Sequence, residues 1–189
     1  MINKKFIQKL KKDYDKGENE RRQIIRLSDT VLHSSKRSIF SLHRGDLSKA
    51  KTELAEIEKT LQKLKKEFGH QRISKEGSYR AGAEEYVEAK MFYFVMAGEK
   101  VDKIKNINLN IDSYLGGLCD LTGELVRQAI NQATAGNFGE VNRMKKIINE
   151  IMAELVKFDM TGYLRTKYDQ AKNNLRKIEQ IEYEVEMRK

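Results

Sequence analysis

The chain has 189 residues, 34% of them charged, a net charge of +9, one cysteine and no proline. This length suits one domain spanning 1–189 with a sizeable core, and the missing prolines, about nine at average usage, favour an all-α chain of long helices, whose interiors exclude proline. A single cysteine excludes a disulfide framework, and no run approaches the roughly 20 apolar residues of a spanning helix or forms a signal-peptide core, so a soluble, cytoplasmic protein with no membrane role is expected.

In chain order, Ile2 to Lys16 reads as a short basic helix ending near Gly17. A long helix then runs from about Asn19 to His43, with Ile24, Leu27, Val31 and Leu42 on its apolar side and Gly45 placed to close it. Asp46 is a good N-cap for the next helix, Leu47 to Phe68, in which Leu47, Leu54, Ile57, Leu61 and Leu64 repeat at helical spacing. Gly69 stops it, and a polar connection, His70 to Gly77, follows. Tyr79 to Gly98 is the next helix, Glu99 to Asn110 a charged linker, and Asp112 to Asn131 another helix that breaks near Gly136. Phe138 to Phe158 and Leu164 to about Met187 complete six or seven helices.

Two of these helices carry acids among apolar residues. In Asp112–Asn131, at roughly 100° per residue, Asp120, Glu124, Arg127 and Asn131 share a stripe about 60° wide while leucines cover much of the rest. In Tyr79–Gly98, Glu85 and Glu88 share a face with Ala81, Ala89, Phe92 and Met96, and Glu84 points about 100° away from Glu85. Buried carboxylates are costly unless paired or bound to metal. If the two helices pack together, four carboxylates converge, a donor set suited to Mg²⁺ or Mn²⁺. Pairing with Arg127 and the lysines, or plain solvation, explains the same spacing equally well.

The charge is uneven. Residues 1–80 carry 21 Lys and Arg against 11 Asp and Glu, whereas residues 81–189 carry 16 against 17. On the long N-terminal helix Arg22, Arg26, His33, Arg37 and Arg44 fall within about 60° of one another, opposite the apolar side, with Lys36 nearby. Such a stripe can track phosphates; an ordinary solvated face is the bland alternative. The three histidines show no ligand spacing. Cys119 and the aromatic residues Tyr86, Phe92, Tyr93 and Phe94 fit a core better than a nucleophile or a base-stacking platform. No Gly-rich phosphate loop or nucleophile motif occurs.

The segments SKRSIFSLHR (near 34–44), GAEEYVEA (82–89) and YLGGLCDLTGELVRQAIN (114–131), with the C-terminal YLRTKYDQAKNNLRKIEQIEYEVEMR, resemble the translin family, most closely its translin-associated factor X (Trax) branch. The likeness covers residues 18–188, without the long N-terminal extension of some relatives. It implies a seven-helix all-α fold that assembles into octamers enclosing a cavity. It also implies a metal-dependent endoribonuclease site for single-stranded RNA, with Mg²⁺ or Mn²⁺ held by Glu85, Glu88 and Asp120 and with Glu124 beside them as a fourth ligand or water-orienting group. Translin subunits bind single-stranded RNA and DNA without these acids. The resemblance carries the nucleic-acid surface onto Arg37 and Arg44; Arg22, Arg26 and Lys36 extend it by the helical stripe, and Arg127 is placed to neutralise the acids or touch phosphate. The expected partners are single-stranded RNA, single-stranded DNA and other subunits, either copies of this chain or a translin-like one. The competing expectation is a non-catalytic single-stranded RNA- and DNA-binding oligomer.

Overall fold

Seven helices follow one another in the computed structural model, which describes residues 1–187. They are α1 (Lys4–His43), α2 (Leu47–Phe68), α3 (His70–Ile73), α4 (Gly77–Met96), α5 (Ile111–Thr134), α6 (Phe138–Leu155) and α7 (Gly162–Glu186). No strand occurs among the described residues, so the all-α expectation holds.

The boundaries follow local chemistry. Asp46 caps α2 by accepting the Lys49 amide at 3.0 Å, and Asn110 caps α5 by accepting the Ser113 amide at 2.7 Å, which satisfies donors that a helix start leaves bare. Gly45 follows the C-cap of α1 with φ +75°, a left-handed conformation that glycine takes without strain. The expected break at Gly17 does not occur. α1 is one helix of 40 residues running straight through it. A glycine inside a helix costs only about 1 kcal/mol, and good helix formers flank this one on both sides. The polar connection after α2 also differs from the expectation: it contains the one-turn helix α3, whose Ile73 is fully buried.

α1 packs mainly on α4 and α2, α4 on α5, and α5 on both α6 and α7. Ile24, Leu42, Leu54, Ile57, Leu64, Tyr86, Phe92, Leu121, Leu125 and Met144 fill the interior. Residues 99–110 are more than a linker, because Ile104 and Ile107 are buried in that core. α4 and α5 approach very closely. A Cβ added to Gly116 would lie 2.1 Å from Glu84 Oε2, and one added to Gly117 would lie 2.6 Å from Val87 Cγ1. The Gly-Gly pair thus lets the α4 backbone pass against α5 one turn before Asp120. No described helix is long and apolar enough to cross a membrane.

Candidate active site and nucleic-acid surface

α4 and α5 bring the four predicted acids into one electrostatic neighbourhood. Glu88 is the most enclosed, with 8% of its surface exposed. Burial pushes its carboxyl up to about 9, and the charges of Asp120, Glu85 and Glu124 push the same way against Lys167. Glu85 is also raised, first by burial and then by Asp120 and Glu124, with Lys36 opposing. Lys36 Nζ lies 4.0 Å from Glu85 Oε2. Asp120 is raised by burial and by Glu84, against the hydrogen bond and charge of Lys167. The largest cause in each case is loss of water around a negative group; neighbouring carboxylates push the same way, and Lys36 at Glu85 and Lys167 at Asp120 oppose them.

Four groups that sequence reasoning did not place at the site are built into it. Lys167 on α7 donates to Asp120 and lies 2.8 Å from Glu84 Oε1. Burial works against its charge, yet these two acids overcome that and hold the ammonium well above its ordinary range. Glu84 is therefore not outside the cluster, as its helical angle implied. It joins Asp120 through the shared lysine, and Tyr163 on α7 donates its hydroxyl to Glu84 Oε1 at 2.6 Å. A helical-wheel angle describes α4 alone, whereas the Lys167 and Tyr163 side chains of α7 reach that side of it. The fourth group is His43. Its side chain is 5% exposed, its Nε2 is hydrogen-bonded to Glu124 Oε2, its Nδ1 lies 3.0 Å from Gln128 Oε1, and its ring stands 4.8 Å from that of Phe92. Nothing in the spacing of the histidines pointed to this, because the partners of His43 come from α5 and α4. Only the SLHR segment, one of those that carry the family resemblance, marked the position.

Among the described residues, no three His, Cys, Asp or Glu side chains stand at metal-holding spacing. The donor set itself is all carboxylate oxygen, the type Mg²⁺ and Mn²⁺ take. Glu88 has no hydrogen-bonding or ion-pairing partner among the described residues. Beside Glu84, Arg80, Asn110, Ser113 and Tyr163 line a hollow of about 420 Å³.

Arg22, Arg26, His33, Lys36 and Arg37 along α1, and Arg44 at its C-cap, are all exposed. The stripe adjoins the acids at Lys36. Arg37 donates to Ser34 Oγ at 2.9 Å, and the Arg44 guanidinium lies 5.6 Å from the Phe40 ring centre. Arg127 is exposed, with its Nη1 3.6 Å from Glu124 Oε2, at the rim of the acidic group. Cys119 is a buried thiol pushed up to about 12 by burial, which suits a core residue and not a nucleophile. Tyr86 and Phe92 are fully buried core residues.

Comparison with known proteins agrees with this fold. The sequence profile of the translin family matches residues 19–189. A translin-associated protein X homolog of Schizosaccharomyces pombe is 28% identical over 194 residues, covering 92% of this chain and 82% of the homolog. The translin of Gallus gallus is 33% identical over 92 residues, which is 48% of this chain and only 40% of that translin. In three dimensions the chain is similar to AfC3PO. The TM-score is 0.88 to its crystal structure, with 23% identity, 97% of this chain and 98% of that one covered. It is 0.85 to the complex of AfC3PO with duplex RNA, with 21% identity and 97% of each chain covered.

Proposed function

This chain belongs to the translin family, and we propose that it is a divalent-metal-dependent endoribonuclease acting on single-stranded RNA. The observation that carries this reading is the crowding of Glu85, Glu88, Asp120 and Glu124, with burial and mutual repulsion pushing three of them toward the neutral form. Such a site is poor at holding several negative charges alone and is relieved by a divalent cation. The residues fit Mg²⁺ or Mn²⁺ by chemistry. Glu85, Glu88 and Asp120 would hold the ion. A bound ion supplies an activated water and positive charge against the reacting phosphate.

The chain's own groups do the rest. His43 occupies Glu124 Oε2, which fixes the carboxylate and leaves Oε1 to accept a proton from water. Lys167 and Arg127 flank the acids and can meet phosphate oxygens. Lys36, Arg37, Arg44, Arg22 and Arg26 supply salt-sensitive affinity with little sequence preference. The hollow beside Glu84 offers Arg80 and Tyr163 to a neighbouring nucleotide. Self-assembly into an octamer, or assembly with a translin-like subunit, belongs to this same reading.

The test is cleavage of labelled single-stranded RNA, with duplex RNA and single-stranded DNA alongside, in Mg²⁺ or in EDTA. The expected result is EDTA-sensitive product from single-stranded RNA. One observation favours a second reading, a non-catalytic nucleic-acid-binding oligomer. Lys167 already partners Asp120, His43 already partners Glu124, and no three acids stand at metal-holding spacing among the described residues. Binding of RNA or DNA without EDTA-sensitive product would establish that second reading in place of the first.

A further inference from the structure

The first turns of α1 carry an apolar stripe with nothing packed on it. Phe6, Leu10 and Tyr14 stand at i, i+4 spacing, with Ile7 beside them. They are 56%, 49%, 68% and, for Ile7, 48% exposed. At 100° per residue Phe6 and Leu10 continue the side of α1 that buries Ile24, Val31 and Leu42, each at most 1% exposed, and Tyr14 and Ile7 flank it. α1 thus outruns its own bundle while its core-facing side stays apolar. Residues 1–16 are exposed throughout, and Lys4, Lys5, Lys9, Lys11, Lys12 and Lys16 make this end strongly basic. Thirteen helical residues from Lys4 to Lys16 span about 20 Å.

A matching surface lies elsewhere on the chain. An open groove of about 700 Å³ runs between α6, α5 and residues 98–101. On α6, Ile147, Ile151 and Leu155 line it at i, i+4 spacing, and Phe158, 50% exposed, extends the row. Glu99, Glu150 and Glu154 also line it, against Lys100 and Arg143, the latter already paired with Glu140 at 2.9 Å. Two i, i+4 ridges interdigitate in the commonest mode of helix packing, and an apolar groove whose α6 wall carries Glu150 and Glu154 complements an apolar helix bearing lysines. The acids count against RNA as the occupant. The chain's own stripe is exposed and so does not fill this groove, and α1 is one unbroken helix that cannot double back into it.

We propose that the projecting end of α1 in one copy of this chain lies in the α6 groove of a second copy. Phe6, Leu10 and Tyr14 interleave with Ile147, Ile151 and Phe158, and the lysines face Glu150 and Glu154. This contact rests on the self-assembling reading above and names the surfaces that make it.

The test uses the full chain with single exposed cysteines. Cys119 is buried, so Leu10→Cys and Phe158→Cys report alone. Mixing the two variants under mild oxidation is expected to give a disulfide-linked dimer that neither variant gives by itself. Light scattering is expected to show at least a halving of mass for Phe6→Glu/Leu10→Glu and for Glu150→Lys/Glu154→Lys, with helical content unchanged. An oligomer without the mixed cross-link, or one undiminished by both double variants, overturns the contact alone. A wild-type chain that is monomeric overturns both the contact and self-assembly, whatever the RNA assay shows. Cross-linking of Leu10→Cys with itself reassigns the stripe to pairing with its own copy. Co-sedimentation of the wild type with phosphatidylserine vesicles, abolished in Phe6→Glu/Leu10→Glu, reassigns it to a membrane surface; either result overturns the proposal.

Discussion

His43, the last residue of α1, is hydrogen-bonded through Nε2 to Glu124 Oε2 on α5. The bond joins the end of the helix that carries the basic stripe to the acidic group. It leaves the imidazole almost enclosed between Gln128 and Phe92, so the ring has little room to turn. Glu124 is accordingly held in one orientation by a side chain that is itself 5% exposed. In the proposed reaction His43 would be a positioning residue for Glu124, in the manner of the outer-shell partners that orient metal ligands.

Replacing His43 by alanine is expected to lower the cleavage rate constant by about 10- to 100-fold while RNA affinity at low salt changes little. His43→Gln places an amide N–H near the position of Nε2 and should restore part of the rate. Single-turnover cleavage with a parallel binding titration checks this. Equal rates for the alanine and glutamine variants would mean that the hydrogen bond to Glu124 does not orient the acid.

Asp120→Ala is expected to abolish cleavage and leave RNA binding intact, and Asp120→Asn to do the same. The asparagine variant keeps the size of the side chain while removing the charge that Lys167 and a cation would share. Product formation over a full time course in Mg²⁺, together with a filter-binding measurement, decides it. Unchanged cleavage by either variant would remove Asp120 from the reaction.

The acidic helices were legible before the fold because a carboxylate on an apolar face is costly and therefore informative. Spacing alone placed Glu85 with Glu88 and Asp120 with Glu124. α2 was legible from end to end because Asp46 and Gly69 bracket one apolar repeat. Lys167 and His43 were not, since each meets its acid across a tertiary contact, from α7 to α5 and from α1 to α5. Glu84 was misplaced for the same reason. Gly17 misled in the opposite sense: local propensity favoured a stop, yet its penalty is smaller than the gain from continuing a helix of good formers.

Glu88 makes stability depend on pH. Its carboxyl ionises near 4.5 when unhindered and near 9 in the folded chain. Between these values the folded state keeps a proton that the unfolded state has released, so stability falls as pH rises through that window. Glu85 and Asp120 shift in the same direction. In EDTA the melting temperature is expected to fall from pH 6 to pH 8.5, and Glu88→Gln should remove much of that slope and raise the melting temperature by several degrees at pH 8.5. Added Mg²⁺ or Mn²⁺ should stabilise the wild type more at pH 8.5 than at pH 6, because the ion requires the ionised carboxylates. Thermal melts across pH, with and without the ion, measure all of this. An identical slope in Glu88→Gln would show that Glu88 is not the group responsible.

The stripe on α1 should act through charge count. Arg22→Ala/Arg26→Ala/Arg37→Ala is expected to weaken single-stranded RNA binding by an order of magnitude or more near 0.1 M salt. The slope of log affinity against log salt should shrink by about 0.7 for each phosphate no longer neutralised, about 2 for three. Binding titrations at four or five salt concentrations give the slope directly. A slope that stays at the wild-type value would place the RNA on another face.

The closest approach of α4 and α5 supplies the sharpest test of how the fold positions the site. At Gly116 an added Cβ meets Glu84 Oε2, the far end of a flexible side chain that can swing away once it releases Lys167 and Tyr163. At Gly117 it meets Val87 Cβ and Cγ1 at 2.7 and 2.6 Å, with the Glu84 carbonyl oxygen at 3.0 Å. Val87 is fully buried, so neither its Cβ nor the backbone can withdraw without moving the helix. Gly117→Ala must therefore push α4 from α5, whereas Gly116→Ala costs mainly the interactions of Glu84 with Lys167 and Tyr163. The expected destabilisation is about 1–3 kcal/mol for Gly117→Ala, as for other overpacked interiors, and less for Gly116→Ala. Because Asp120 lies one turn beyond and Glu84, Glu85 and Glu88 lie on the displaced helix, Gly117→Ala should also weaken metal-induced stabilisation, read as a smaller shift in melting temperature at saturating Mn²⁺. Equal stability of the two variants, with an undiminished Mn²⁺ shift, would mean that the Gly-Gly approach does not set the distance between the acids.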